Sequence, residues 1–236
     1  MSVLYFEREP EPESMEEELD VDAYTSSTAE QHLEKLDDEL VSQIQSTGLR
    51  KGLVLDMGTG PGSIPAKLCQ RVPGLVVIGV DISLAMLRKA QEKIRESGLA
   101  DRMFLVCADT SVLPFPGNRF DMVMSNSLLH HLHDPVPSLD EIARVLRKTG
   151  ALLLKDLRRP PRFLYKLHVA YFGRKYDCRM RELFEASVRA AFTLPEAEKL
   201  LTRSKLEACT PMKWGSQYLL ITKPPGNRDV PVTEYR

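Results

Sequence analysis

From residue 51 to residue 156 the chain repeats one unit, a short apolar run followed by a turn and a stretch with helical spacing. "LVLDM" reads as a strand and "IPAKLCQRV" as the helix after it. "VVIGVD" and "SLAMLRKAQEKIRESG" repeat the unit, with Ser83 as N-cap and Gly98 as stop. "MFLVCAD" is a third strand, and "FDMVMSN" a fourth behind the turn "PFPGNR". "SLDEIARVLRKTG" reads as a helix ending at Gly150, and "ALLLKDL" as a fifth strand. Apolar strands separated by helices predict a parallel sheet covered on both faces, a doubly wound α/β fold.

The flanks are different. Residues 1–40 hold 14 Asp/Glu and 2 Lys/Arg, so the remaining residues are net basic although the whole chain carries a charge of −1. Residues 1–23 read as irregular, with a helical turn near Met15–Leu19; Leu33, Leu36, Leu40, Val41 and Ile44 then mark a helix closed by Gly48. Residues 157–193 carry nine Lys/Arg and read as a helical insertion broken at Gly173. "TLPEAEKLLTRS" is a further helix, and "KLEACTPMKWGSQYLLITK" reads as two strands turning at Trp214–Gly215. At 236 residues this suggests an acidic arm and helix, 1–45, and one domain, 46–236, that includes the insertion 157–193. The four cysteines form no CxxC pair, no apolar run approaches a membrane span and the acidic start is no signal peptide. These features point to a cytoplasmic protein.

The first strand runs into "DMGTGPGS", with Gly58, Gly60 and Gly62. In a doubly wound sheet, ligands bind beyond the strand ends where strand order reverses, and this loop lies there. A dinucleotide site wants G-x-G-x-x-G; here the third glycine is one place early and Pro61 removes a backbone N–H. A Walker loop is excluded because no Gly-Lys-Ser/Thr follows. Asp56 would repel a phosphate and attract an amino group. Asp81, ending the second strand, can accept hydrogen bonds from a ribose diol. Met86 can lie on an adenine face, and Asp109 can take the adenine amine. Binders for an amine, a ribose and an adenine, with none for phosphate, describe S-adenosylmethionine.

"VLDMGTGPGS", "VIGVDISLAMLRKA", "CADTSVLPFPGNRFDMVMSNSLLHHLHDP" and "ARVLRKTGALLLKD" together resemble the successive motifs of class I S-adenosylmethionine-dependent methyltransferases. The resemblance covers about residues 50–156, recurs in "QYLLITK" and is closest to the small-molecule, quinone C-methyltransferase-like branch. It implies a Rossmann-like seven-stranded sheet whose last strand is antiparallel. It implies a cofactor site of Asp56, Gly58, Thr59, Gly60, Gly62, Asp81, Ile82, Met86, Asp109 and Thr110. Ser125 and Asn126 would lie near the transferred methyl. Thr59 stands where the family often has Cys. "SNSLLHH" replaces the motif that grips nitrogen acceptors in amine-methylating relatives.

The resemblance implies methyl transfer to a small molecule, with S-adenosylhomocysteine as product. Transfer to RNA through the basic insertion, or cofactor binding without turnover, are the alternatives. His130, His131 and Asp156 are candidates for a proton acceptor. The three histidines of "LLHHLHD" do not share one helix face, and no acid or cysteine constellation completes a site, so no metal is expected. The insertion reads as a lid on which the acidic arm could dock, bringing Tyr24 or Met15 to the cofactor. Monomer and homodimer both remain open, and no nucleic-acid partner is expected.

Overall fold

The computed structural model describes residues 4–11, 21–22, 24–25, 27–206 and 209–226. One sheet contains β1 (Lys51–Met57), β2 (Gly74–Asp81), β3 (Met103–Cys107), β4 (Phe120–Asn126), β5 (Leu146–Leu157), β6 (Thr210–Trp214) and β7 (Tyr218–Lys223), in the order β3-β2-β1-β4-β5-β7-β6. The first five strands run parallel; β7 is antiparallel to β5 and β6. The chain moves outward from β1 to β3 and returns to place β4 on the other side of β1. The carboxyl ends of β1 and β4 therefore flank the crevice where such sheets bind ligands.

Seven α-helices are described: α1 (Ser27–Ser46), α2 (Ser63–Arg71), α3 (Leu84–Glu96), α4 (Val136–Val145), α5 (Tyr165–Phe172), α6 (Cys178–Ala190) and α7 (Leu194–Arg203). Strand residues alternate between two cores. Leu55, Met57, Val123, Leu152 and Leu154 meet Leu139 and Ile142 of α4 and Leu200 and Leu201 of α7. Val54, Met122, Met124 and Leu153 meet Leu40 and Ile44 of α1, Leu68 of α2 and Ile94 of α3. Local signals act as expected. The Ser83 hydroxyl accepts from Met86 N–H at 3.2 Å, and Gly98 leaves α3 at φ 64°.

The helix expected to run to Gly150 stops at Val145. Pairing overrides its helical spacing: Arg119 N–H donates to the Val145 carbonyl at 2.7 Å and Leu146 registers with Phe120. The register then shifts, with extra residues on β5, before Ala151 pairs with Met122. A Cβ on Gly150 would lie 2.9 Å from the Arg147 carbonyl oxygen, backbone that cannot swing aside, so this position favours glycine.

The insertion forms α5 and α6, joined by a short 3-10 turn at Gly173–Lys175 and packed together through Tyr165, Val169, Phe184 and Val188. Residues 4–11 lie on it. Arg162 N–H donates to the Leu4 carbonyl at 2.9 Å, and Glu9 pairs with Arg189 at 3.0 Å. The expected turn at Met15–Leu19, and Met15 itself, lie outside the described residues.

Candidate active site

β1 ends into the glycine loop, and the loop bends under β2. Gly58 N–H and Thr59 N–H both donate to the Val80 carbonyl, at 2.8 and 3.0 Å. Gly79 makes room for this, because a Cβ there would lie 2.6 Å from Thr59 Oγ1. Thr59 in turn donates its hydroxyl to Asp56 Oδ2 at 2.8 Å. Asp81 holds the loop from the other side, accepting from Gly60 N–H at 2.8 Å and Ser83 N–H at 2.9 Å.

The three glycines differ. All have positive φ, at 69°, 53° and 75° for Gly58, Gly60 and Gly62. A Cβ on Gly60 would meet nothing within 4 Å, so its bare backbone faces the cavity. A Cβ on Gly62 would lie 2.9 Å from Met103 Cε and 3.0 Å from the Ala90 Cβ. Gly62 lets the loop pack on α3 and β3, which is the task of the third glycine in a dinucleotide loop. It does not line the cavity.

Two joined cavities open above the crevice. One, of about 180 Å³ and partly open to solvent, takes in Asp81, Ile82, Met86, Asp109 and Thr110 on one side and His130 and His131 on another. Met180, Leu183 and Phe184 of α6 give it an apolar roof. The other is lined by Asp37, Asp56 and Thr59. Tyr24, Gly58, Gly60 and Asn126 border both. Among the described residues the buried Asn126 Oδ1 atom has no hydrogen-bond partner, which leaves an acceptor at the junction. Ser125, expected beside it, turns its hydroxyl to the Met57 carbonyl at 2.8 Å and ties β4 to β1 instead. The strand alternation decides this, since neighbours on β4 point to opposite faces.

The electrostatics suit a cationic ligand end. Burial pushes the Asp56 carboxyl up to about 7, against the Thr59 hydrogen bond. Burial likewise pushes Asp37, on α1, up to about 6. Asp109 accepts from Ser111 N–H at 2.7 Å and stays exposed at the cavity edge. Thr110 and Ser138 share a hydrogen bond of 2.9 Å. Asp37 was not legible from the sequence, because it lies one turn from apolar residues on a helix outside the motifs.

Beyond β4, His130 Nδ1 lies 2.5 Å from Asp156 Oδ1, and Asp156 Oδ2 accepts from Leu129 N–H at 2.6 Å. Asp156 therefore stands behind His130 rather than in the cavity. Glu11 of the arm reaches the same place, 3.4 Å from His130 Nε2 and 3.1 Å from His131 Nδ1. Burial opposes a charge on His130, but Asp156 and Glu11 outweigh it and raise its pKa. His131 is the more open of the two, with its side chain 19% exposed against 2%. Glu11, His130 and His131 also place three potential ligand atoms within 4.8 Å of one another, an acid the sequence does not show beside the histidines. An acid and two imidazoles at this spacing are donors a cation could use, which the sequence expectation of no metal did not foresee.

Arg8 locks the arm in place. Its guanidinium donates to the carbonyls of Ala190 at 2.7 Å, His130 at 2.9 Å and Leu132 at 2.7 Å, and lies 4.2 Å from the Phe192 ring.

Residues 55–154 match the methyltransferase domain family. The matched segment is similar to that domain and contributes the end of β1, all of β2, β3 and β4 and most of β5 to the seven-stranded sheet. Over 114 residues the chain is 34% identical to a demethylmenaquinone methyltransferase of Porphyromonas gingivalis, covering 48% of this chain and 46% of that protein. Over 120 residues it is 37% identical to the ubiquinone/menaquinone biosynthesis C-methyltransferase UbiE of Francisella philomiragia, covering 50% and 48%. The chain thus spans about half the length of these curated relatives. A crystal structure from Methanococcus maripaludis, described as an S-adenosyl-L-methionine-dependent methyltransferase, matches with a TM-score of 0.69 over 95% of this chain and 100% of that one. At 16% identity that match shows the fold alone.

Proposed function

We propose that this protein transfers a methyl group from S-adenosylmethionine to a small, largely apolar acceptor. The observation that carries the reading is the junction of the two cavities at Gly60 and Asn126, with adenosine binders on one side, buried acids on another and an apolar roof over the third. We assign Asp81 to the ribose diol, its carboxylate oriented by Gly60 N–H and Ser83 N–H at the cavity wall. Met86, Ile82, Asp109 and Thr110 border the adenine space. Asp56 and Asp37 face the methionine end, where an ammonium group would draw their protons off. Tyr24 closes the junction.

Bound there, S-adenosylmethionine supplies a methyl on a sulfonium that leaves as a neutral thioether. The chain's own residues have to aim the acceptor along that line and keep water out, which α6 and the arm do. Where the acceptor must lose a proton, His131 is the residue placed to take it. Glu11 accepts the Nδ1 proton of His131 and so fixes the tautomer that presents Nε2. Asp156 and His130 hold the segment carrying it.

A quinol carbon, a hydroxyl and a thiol all fit this chemistry, and the two curated relatives favour a quinol. Among the described residues no helix is long and apolar enough to cross a membrane. Among the described residues the cysteines form no disulfide, in keeping with a reducing cytoplasm. We read the protein as a monomer or homodimer. Incubation of the full chain with methyl-labelled S-adenosylmethionine and a panel of quinols, phenols and thiols tests the proposal. Labelled product from one class supports it, and tight cofactor binding without product from any class contradicts it.

A further inference from the structure

The lid is apolar on two faces, and only one of them is covered. Tyr165, Val169 and Phe172 of α5 pack on α6. On the opposite side Phe163, Leu167 and Tyr171 are 75%, 67% and 56% exposed. They recur every four residues, so they form one stripe along the 3-10 turn and helix that carry them. A helix apolar all round belongs against a second apolar phase. The arm adds to the same place from the far end of the sequence. Phe6 meets the Tyr165 ring edge at 5.5 Å and stays 40% exposed, and Leu4, hydrogen-bonded to Arg162, is also bare.

Charge surrounds this stripe. Residues 157–175 contain six Lys/Arg and no Asp/Glu. Arg162, Lys166, Arg174 and Lys175 are exposed. Two of them lie along aromatic faces, Arg162 at 4.8 Å from the Phe6 ring and Arg174 at 4.0 Å from the Tyr171 ring. Long cationic side chains that lie on apolar groups and carry their charge outward suit an interface between hydrocarbon and anionic headgroups.

We propose that the outer face of α5, with Phe163, Leu167, Tyr171 and the tip of the arm, docks on an anionic lipid surface. Apolar side chains enter the headgroup boundary while Arg162, Lys166, Arg174 and Lys175 meet lipid phosphates and carboxylates. The inner face of the same lid roofs the cavity through Met180, Leu183 and Phe184. Docking therefore sets the roof of the site beside a reservoir of apolar small molecules. The proposal stands on the surface alone and does not require the methyltransferase reading.

Co-sedimentation of the full chain with vesicles tests it, using phosphatidylcholine alone and phosphatidylcholine with phosphatidylserine, at low and high salt. The protein is expected to pellet with the anionic vesicles at low salt, to be released by high salt and to leave neutral vesicles largely unbound. Phe163→Asp with Leu167→Asp, and separately Lys166→Glu with Arg174→Glu, should each lower bound protein at least tenfold. S-adenosylhomocysteine affinity and melting temperature should stay as in the wild type, which keeps a failure of docking distinct from a failure of the cofactor reading. Three results would overturn the proposal: wild-type protein that ignores anionic vesicles, self-association that Leu167→Asp abolishes without vesicle binding, or RNA binding lost in the same variants without vesicle binding.

Discussion

His130 and Asp156, 26 residues apart and on different elements, share a buried hydrogen bond of 2.5 Å. Burial disfavours the imidazolium, yet the carboxylates of Asp156 and Glu11 hold the His130 pKa above its ordinary value, with Arg8 opposing them. A histidine raised in this way stabilises the fold fully below its unfolded pKa of about 6.5, and the contribution fades as pH rises through the folded value. Asp156→Asn should cost up to about 3–5 kcal/mol at pH 6, because it breaks one side of a buried pair. The difference from wild type should shrink towards pH 9. Denaturant unfolding at the two pH values checks this, and an equal loss at both would contradict the ion-pair account.

Asp56 gives the same sign in its own window of pH. Its pKa, raised to about 7, means that the folded state holds a proton the unfolded state has released between about pH 4 and pH 7. Stability should therefore fall as pH climbs through that window. Asp56→Asn, keeping the Thr59 partner, should raise the melting temperature at pH 8 and change it little at pH 4. It should also weaken S-adenosylhomocysteine binding, most clearly at pH 8. Thermal scans and calorimetry read the two effects separately.

Gly60 and Gly62 separate binding from packing. Gly62→Ala puts a Cβ within 3.0 Å of Met103 and Ala90, so it should destabilise by about 1–3 kcal/mol. Gly60→Ala meets no protein atom and should cost less stability while losing most cofactor affinity. The reverse pattern would show that the cavity side of the loop has been misassigned.

Arg8→Ala removes a guanidinium that serves four carbonyls, those of His130, Leu132, His133 and Ala190. A loss of about 2 kcal/mol, or roughly 4–8 °C in melting temperature, is expected. The freed arm should become a cleavage site for trypsin-like proteases ahead of the rest of the chain, which limited proteolysis would show.

The sequence carries the parts of this site that are local. The glycine loop, Asp81, Met86 and Asp109 follow directly from strand ends, because a parallel sheet puts all such ends on one edge. Glu11, Asp37 and Gly79 were not legible. Glu11 meets His131 across 120 residues of chain, through an arm whose path depends on Arg8 finding carbonyls at 130, 132 and 190. Gly79 looks like any residue of an apolar strand until the loop beneath it is seen. Leu146 to Gly150 read as helix for the same reason: the pairing of Leu146 with Phe120 is a tertiary fact.

The most direct test is calorimetric titration of the full chain with S-adenosylhomocysteine and, separately, with NADH, repeated on Asp81→Ala. The account predicts micromolar binding of the first ligand, at least a tenfold loss in the variant and no binding of the second. Folded wild-type protein that ignores S-adenosylhomocysteine, or binds NADH instead, would contradict it.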